Sequence, residues 1–280
     1  MYARDGKRGI LKTIKLGGNI RHALPGSAKS PTLRRLWREA FGDDYAEEAD
    51  PLSFVTLTDL RQIASEIRVR PGQTFVDLAC GGGGPGLWVA PETRASLIGI
   101  DFSPVAVEHA IRRAVAFGLA ERTRFQLGDF IATGLPTASF DGAMSVDALL
   151  FVPDKAAAAR EVARILRTGA RFVFTTWDWK MTPPGFPHQV NDHHALLRDA
   201  GFTVEAYEER PGWEARQRSF YTRVPAAQAD LIAEMGEGAA GYTLFEANLL
   251  TGQMDGTDYL ALSRRILVVA RKTVEGNRFS

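Results

Sequence analysis

The run Phe75-Val-Asp-Leu-Ala-Cys-Gly-Gly-Gly-Gly-Pro-Gly86 constrains this chain more than any other stretch. A compact β-rich segment enters a glycine cluster and leaves it through Pro85 and Gly86 into a helix. Glycines at such a turn let the backbone approach a ligand with no β-carbon in the way. Gly81, Gly83 and Gly86 fit G-x-G-x-x-G, and Asp101 follows Gly81 by twenty residues, the spacing of the dinucleotide fingerprint. The match is weak by itself, so the rest of the chain must decide what the turn holds.

Further β-rich runs occur at 96–100, 124–127, 141–146, 170–176, 202–208 and 264–271, with helical periodicity at 103–117, 154–166 and 193–200 between them. Strands alternating with helices at this spacing predict right-handed crossovers and a mostly parallel sheet, a doubly wound α/β fold of seven strands with ligands at the carboxyl ends. Two helices are predicted before the sheet, at 31–41 and 51–67. The interval 211–263 exceeds what a loop normally spans and is predicted to form a helical cap over the site, inserted before the last strand. The expected organisation is therefore an N-terminal arm and helical lid over 1–70, a Rossmann-like core over 71–210, the cap over 211–263, and the last core strand and tail over 264–280.

Composition narrows the function. The 280 residues carry 34 Lys and Arg against 33 Asp and Glu, so there is no global basic field for nucleic acid. No apolar run is long enough for a membrane span, and the start, rich in Lys and Arg, has no signal-peptide h-region. That start reads as an arm, a lid or a transit segment. A lone cysteine, Cys80, excludes an internal disulfide and a cysteine zinc cluster and suits a cytoplasmic protein. No metal site is expected, because His188, Asp192, His193 and His194 match no compact zinc spacing. The oligomeric state stays open, a homodimer included.

Electrostatics separates the possible cofactors. Asp77, Asp101, Asp129 and Asp147 close the first four strands, and all four are expected to face one crevice. Such a crevice repels a pyrophosphate and attracts a cationic sulfonium. Asp77 also stands where it would crowd the pyrophosphate of a nicotinamide cofactor. An NAD(P)-dependent oxidoreductase is the alternative; it lacks an evident Tyr-x-x-x-Lys pair, since Tyr242 has Glu246 at that offset.

Val76-Asp-Leu-Ala-Cys-Gly-Gly-Gly83, Ile98-Gly-Ile-Asp-Phe-Ser103, Leu127-Gly-Asp-Phe130, Phe140-Asp-Gly-Ala-Met-Ser-Val-Asp147 and Leu166-Arg-Thr-Gly-Ala-Arg-Phe-Val173 together resemble the ordered motif series of class I S-adenosylmethionine-dependent methyltransferases, in the small-molecule branch. The resemblance covers 73–176. It implies a seven-stranded sheet with an antiparallel last strand, S-adenosylmethionine as cofactor and S-adenosylhomocysteine as product. It further implies Asp77 near the methionine end, Gly81 and Gly83 at the close-approach turn, Asp101 on the ribose hydroxyls with Phe102 flanking the adenine, Asp129 on the adenine amino group with Phe130 beside the ring, and the Ser145 backbone toward the methionyl portion. Ala79 stands where the family usually has glycine, which would tighten the methionine pocket.

A second departure concerns catalysis. Many relatives acting on hydroxyls carry histidine after the fourth strand, whereas Ala148-Leu-Leu-Phe151 supplies none. Candidate bases are His188, His193 and Asp147, with His194 and the remote His22 behind them. Trp177 and Trp179 fall at a strand's carboxyl end, and with Phe151, Trp213 and Tyr45 they are the expected acceptor-binding residues. They imply a flat, largely apolar small molecule. The expected activity is methyl transfer to such an acceptor in secondary metabolism, O-methylation ahead of C- or N-methylation. A non-catalytic S-adenosylmethionine-binding protein is the other alternative.

Overall fold

The computed structural model describes residues 30–49 and 53–273. The arm with His22, and Pro51 and Leu52 of the second predicted helix, lie outside them. Seven strands form a single sheet: β1 Thr74–Leu78, β2 Ser96–Asp101, β3 Thr123–Leu127, β4 Phe140–Val146, β5 Leu166–Trp179, β6 Phe202–Glu209 and β7 Ser263–Lys272. Their order is β3-β2-β1-β4-β5-β7-β6, with β7 antiparallel to both neighbours. The order reverses at β1 and β4, and the crevice at their carboxyl ends is where an open parallel sheet holds its ligand.

Side chains alternate across the sheet as period two requires. Val76, Leu78, Phe172, Phe174, Ile266 and Val268 enter one buried layer, completed by helices α5 Lys155–Ile165 and α6 His194–Asp199. Phe75, Leu97, Val173, Leu267 and Val269 enter the other, completed by α2 Leu57–Glu66, α3 Gly84–Thr93 and α4 Pro104–Ala116. The predicted helix at 51–67 thus begins only at Leu57, where Thr56 and Asp59 form a reciprocal capping box. It is a layer of the core and not part of the lid, because Leu60 and Ile63 bury against the sheet.

A third buried cluster lies above the strand ends. Helix α1, Pro31–Phe41, starts at the Ser30 cap and packs its Leu36 and Trp37 against the cap helices α7 Trp213–Arg223, α8 Gln228–Met235 and α9 Glu237–Leu250. The Trp37 and Phe220 rings stack with centroids 4.2 Å apart. Ser30 and Thr32 donate to the Glu234 carboxylate of α8, tying the first helix to the cap. No helix among the described residues is long and apolar enough to cross a membrane.

Candidate active site

Between the strand ends and the cap lies a cavity of about 680 Å³, within the roughly 300–1,000 Å³ typical of small-molecule sites. Its floor is the glycine turn. Gly81 has φ +54° and no atom within 4 Å of where a β-carbon would stand, so its bare backbone faces open space. Asp101, at the end of β2, accepts from the Gly81 N–H at 2.9 Å and the Ser103 N–H at 2.8 Å, fixing the turn against the strand. Each carboxylate oxygen keeps a further lone pair for a ligand hydroxyl.

Ala79, Gly81, Asp101, Phe102, Asp129 and Phe130 line this end together. Two carboxylates, an exposed Phe102 ring and a bare glycine turn make a donor-hungry, flat-walled cradle that fits the hydroxyls, the amino group and the positive charge of S-adenosylmethionine. Among the described lining residues there is no lysine, arginine or histidine, so nothing there balances a pyrophosphate.

Three expected contacts sit one layer below the cavity. Asp77 is buried under the start of α3, where a β-carbon on Gly86 would come within 2.6 Å of its Oδ2. Burial, reinforced by Asp101, pushes its carboxyl up to about 8 against the stabilising Gly86 N–H. The expectation that four aspartates share one crevice is corrected: Asp77 lies buried outside the lining, where burial favours its neutral form. Ser145 donates to the Leu78 carbonyl at 2.9 Å, clamping β4 to β1. Gly83 caps α3 with φ +77° and is glycine for packing, since a β-carbon would stand 3.0 Å from Ala110 and Phe125.

Ala79, the departure from the family glycine, also has positive φ, +55°. An alanine there carries about 1 kcal/mol of backbone strain.

The predicted bases are corrected as well. His188 is exposed and outside the cavity lining, its carbonyl accepting from Lys155. His193 is fully buried on the other side of β5, its Nδ1 2.8 Å from Asp178 and its ring against Phe174. His194 is exposed and paired with Asp192. Asp147 does line the cavity, but its carboxylate takes both a Thr175 hydroxyl at 2.6 Å and the Phe54 N–H at 3.0 Å, and Arg265 grips both of its oxygens. A carboxylate so committed is a brace, not a base.

Among the expected acceptor contacts, Phe151, Trp177 and Trp179 line the cavity. β5 continues through Trp179, and alternation turns both indoles to the same side while Asp178 points away to His193. Trp213 and Tyr45 do not line it. The Trp213 indole is buried and donates to Glu209, and Tyr45 packs behind Trp37.

The sequence reading missed the cap wall: Gln217, Phe220 and Tyr221 of α7 and Tyr242 and Glu246 of α9 all face the cavity. Four buried polar atoms of the lining, Trp177 Nε1, Trp179 Nε1, Gln217 Oε1 and the Tyr242 hydroxyl, have no hydrogen-bond partner among the described residues. Each such atom costs about 1–3 kcal/mol when left unmade, which marks the wall as built to meet polar groups of a ligand.

Comparison with known proteins agrees with this geometry. Residues 76–174 match a family described as a methyltransferase domain. The 27-O-demethylrifamycin SV methyltransferase of Amycolatopsis mediterranei is 26% identical over 77% of this chain and 92% of its own length. A probable tocopherol O-methyltransferase of Oryza sativa is 34% identical, but over 45% of this chain and only 35% of its own length. A sterol 24-C-methyltransferase of Aspergillus fumigatus is likewise matched over 31% of its length. The structure titled as the [4+2]-cyclase SpnF shares the fold with a TM-score of 0.66 and 24% identity, over 77% of this chain and 80% of that one.

Proposed function

We propose that this chain, which belongs to the class I S-adenosylmethionine-dependent methyltransferases, methylates a hydroxyl of a small, largely apolar acceptor in secondary metabolism, in the cytoplasm. The observation that carries the proposal is one continuous cavity with two chemically different ends. Asp101, Phe102, Asp129 and Phe130 stand at the glycine turn, and Trp177, Trp179, Gln217, Tyr221 and Tyr242 stand under the cap. The first set holds the cofactor, with Asp101 on the ribose and Asp129 on the adenine. The second set holds the acceptor.

When bound, S-adenosylmethionine supplies an electrophilic methyl group on a sulfonium whose charge is lost on transfer. The protein's part is to hold the acceptor oxygen in line and keep water out, and the aromatic wall serves both ends. Alignment over nearly the whole of a relative named for an O-demethylated substrate supports oxygen as the atom methylated. A geranyl diphosphate methyltransferase that shares the fold is named for a diphosphate. A cavity lining without described cations supports an uncharged acceptor here instead.

Incubation with S-adenosylmethionine and a panel of phenols, alcohols and amines, read by mass spectrometry, tests the proposal. A mass gain of one methyl group on hydroxyl compounds is expected. Methylation of amines alone would overturn the choice of oxygen.

A further inference from the structure

Glu246 is an ionisable side chain of the cavity that cofactor binding leaves unused. It projects from the middle of α9 into the acceptor end, on the same wall as Tyr221, Tyr242 and Gln217. Its surroundings are unlike those of any other carboxylate lining the cavity. Asp101 is held by two backbone N–H groups, Asp129 accepts from the Ile131 N–H, and Asp147 is held by a guanidinium. Glu246 has the buried Tyr221 phenol for its electrostatic neighbour, and no cation pairs with it among the described residues. Near it the Tyr242 hydroxyl, and elsewhere in the lining the Gln217 carbonyl oxygen, lack partners among the described residues.

We propose that Glu246 is the general base of methyl transfer, accepting the proton of an acceptor hydroxyl that Tyr242 holds against it. The assignment rests on the reading of the acceptor as a hydroxyl compound. The Tyr242 hydroxyl can donate to the lone pair of an incoming hydroxyl whose single proton then faces the carboxylate, and Gln217 Oε1 can accept only from a second donor of the acceptor. The proton passes from the acceptor oxygen to Glu246, and the oxygen lone pair forms the new bond to the methyl carbon. The former C–S bonding pair stays on sulfur, and the proton leaves Glu246 for water after the products depart.

The titration of the group suits this work. Burial among aromatic rings pushes the Glu246 carboxyl up to about 7, opposed by the Tyr221 phenol, and a base is most effective with its pKa near the working pH. On α7, Arg218 pairs with Glu214 and Asp258, Arg223 with Glu39, and Arg216 donates to the Pro211 carbonyl. Tyr221 on α7 and Tyr242 on α9 are neutral, both pushed well up by burial and by Glu246 itself. Across the cavity, Asp147 is paired with Arg265, and Arg265 and Arg210 both hold Asp59.

The test uses the whole chain with S-adenosylmethionine and two hydroxyl probes, 27-O-demethylrifamycin SV and a simple apolar phenol. Glu246→Gln is expected to lower kcat by about 10²–10⁴-fold, the usual contribution of a positioned base. Calorimetric affinity for S-adenosylhomocysteine should stay within about twofold. The wild-type rate should climb with pH to a plateau just above 7, and Glu246→Gln should lose that limb while Glu246→Asp recovers part of the rate. An infrared titration without any acceptor gives the independent reading: a carboxylic acid C=O band that disappears near pH 7 and is missing in Glu246→Gln.

A Gln variant with wild-type kcat, or a Glu246 carboxyl titrating in the ordinary range near 4.3, overturns the assignment while leaving the methyltransferase reading intact. Wild-type protein that binds S-adenosylhomocysteine but methylates neither probe overturns the hydroxyl reading and the base with it. If Glu246 serves instead to bind an ammonium group, KM for an amine rises in Glu246→Gln while kcat holds, which also overturns the proposal.

Discussion

Two walls of the cavity each carry a carboxylate, Asp147 buried and Glu246 half-buried, and the two have different surroundings. At the strand ends, Asp147 shares the fully buried Arg265 with Asp59, which in turn holds Arg210, and Arg210 reaches out to Glu208 at the surface. On the cap wall, Glu246 has the Tyr221 phenol for a neighbour and the unpaired Tyr242 hydroxyl near it. The first arrangement fixes charge and joins α2, β4, β7 and the end of β6. The second leaves a carboxylate poised between its two protonation states. Sheet-end ionic pairing gives the site its frame, and the cap gives it a group that can exchange a proton.

The sharpest way to break this contrast is to remove the shared cation. Arg265→Leu strands Asp147 in a dry interior and leaves Asp59 to Arg210 alone, and a loss of about 3–5 kcal/mol in urea unfolding is expected. A loss under about 1 kcal/mol would mean that water reaches the set. Glu246→Gln should act in the other direction. With a folded pKa of about 7 against 4.5 unfolded, the native state holds the extra proton between those values, so Glu246 costs stability increasingly as pH rises through that window. The Gln variant should match wild type near pH 4 and be more stable by up to roughly 3 kcal/mol at pH 8, since each unit corresponds to about 1.4 kcal/mol. Thermal melts at both pH values check it, and equal stability at pH 8 would place Glu246 in water.

Smaller effects refine the picture. Tyr221→Phe removes the hydroxyl that favours the ionised form, so the ionisation should move upward by about half to one unit, the equivalent of about 1 kcal/mol, read by the same infrared titration. A downward move would mean that the phenol favours the acid. Ala79→Gly relieves the positive-φ strain but frees the unfolded chain, so stability should change by less than about 1 kcal/mol. A larger loss would show that the Ala79 methyl packs against the cofactor cradle.

What could be read in the sequence divides along the same line as the two walls. The sheet, its antiparallel last strand, the cap insertion and the glycine-turn end of the cavity follow from motifs that are contiguous in the chain, so Asp101, Phe102, Asp129 and Phe130 could be placed by counting from strand ends. Trp177 and Trp179 followed from strand alternation. The cap wall has no such rule, because which face of α7 and α9 meets the cavity depends on how the cap docks. Tyr242 and Glu246 stood out in the sequence only as a failed Tyr-x-x-x-Lys pair, although their i, i+4 spacing puts them on one helix face. Asp147 misled for a different reason: its partner Arg265 lies 118 residues away, and only the antiparallel β7 brings it alongside. His193 misled because the reading stopped at its residue type, while Asp178, between the two tryptophans, already pointed to the opposite face.

The central claim is that the glycine-turn end of the cavity holds an adenosyl sulfur cofactor through Asp101 and Asp129. Calorimetric titration of the purified protein with S-adenosylhomocysteine and with NAD, repeated for Asp101→Ala, tests it most directly. The account predicts micromolar binding of S-adenosylhomocysteine, no binding of NAD, and at least a tenfold loss in the variant. Binding of NAD, or an affinity for S-adenosylhomocysteine that ignores Asp101, would contradict it.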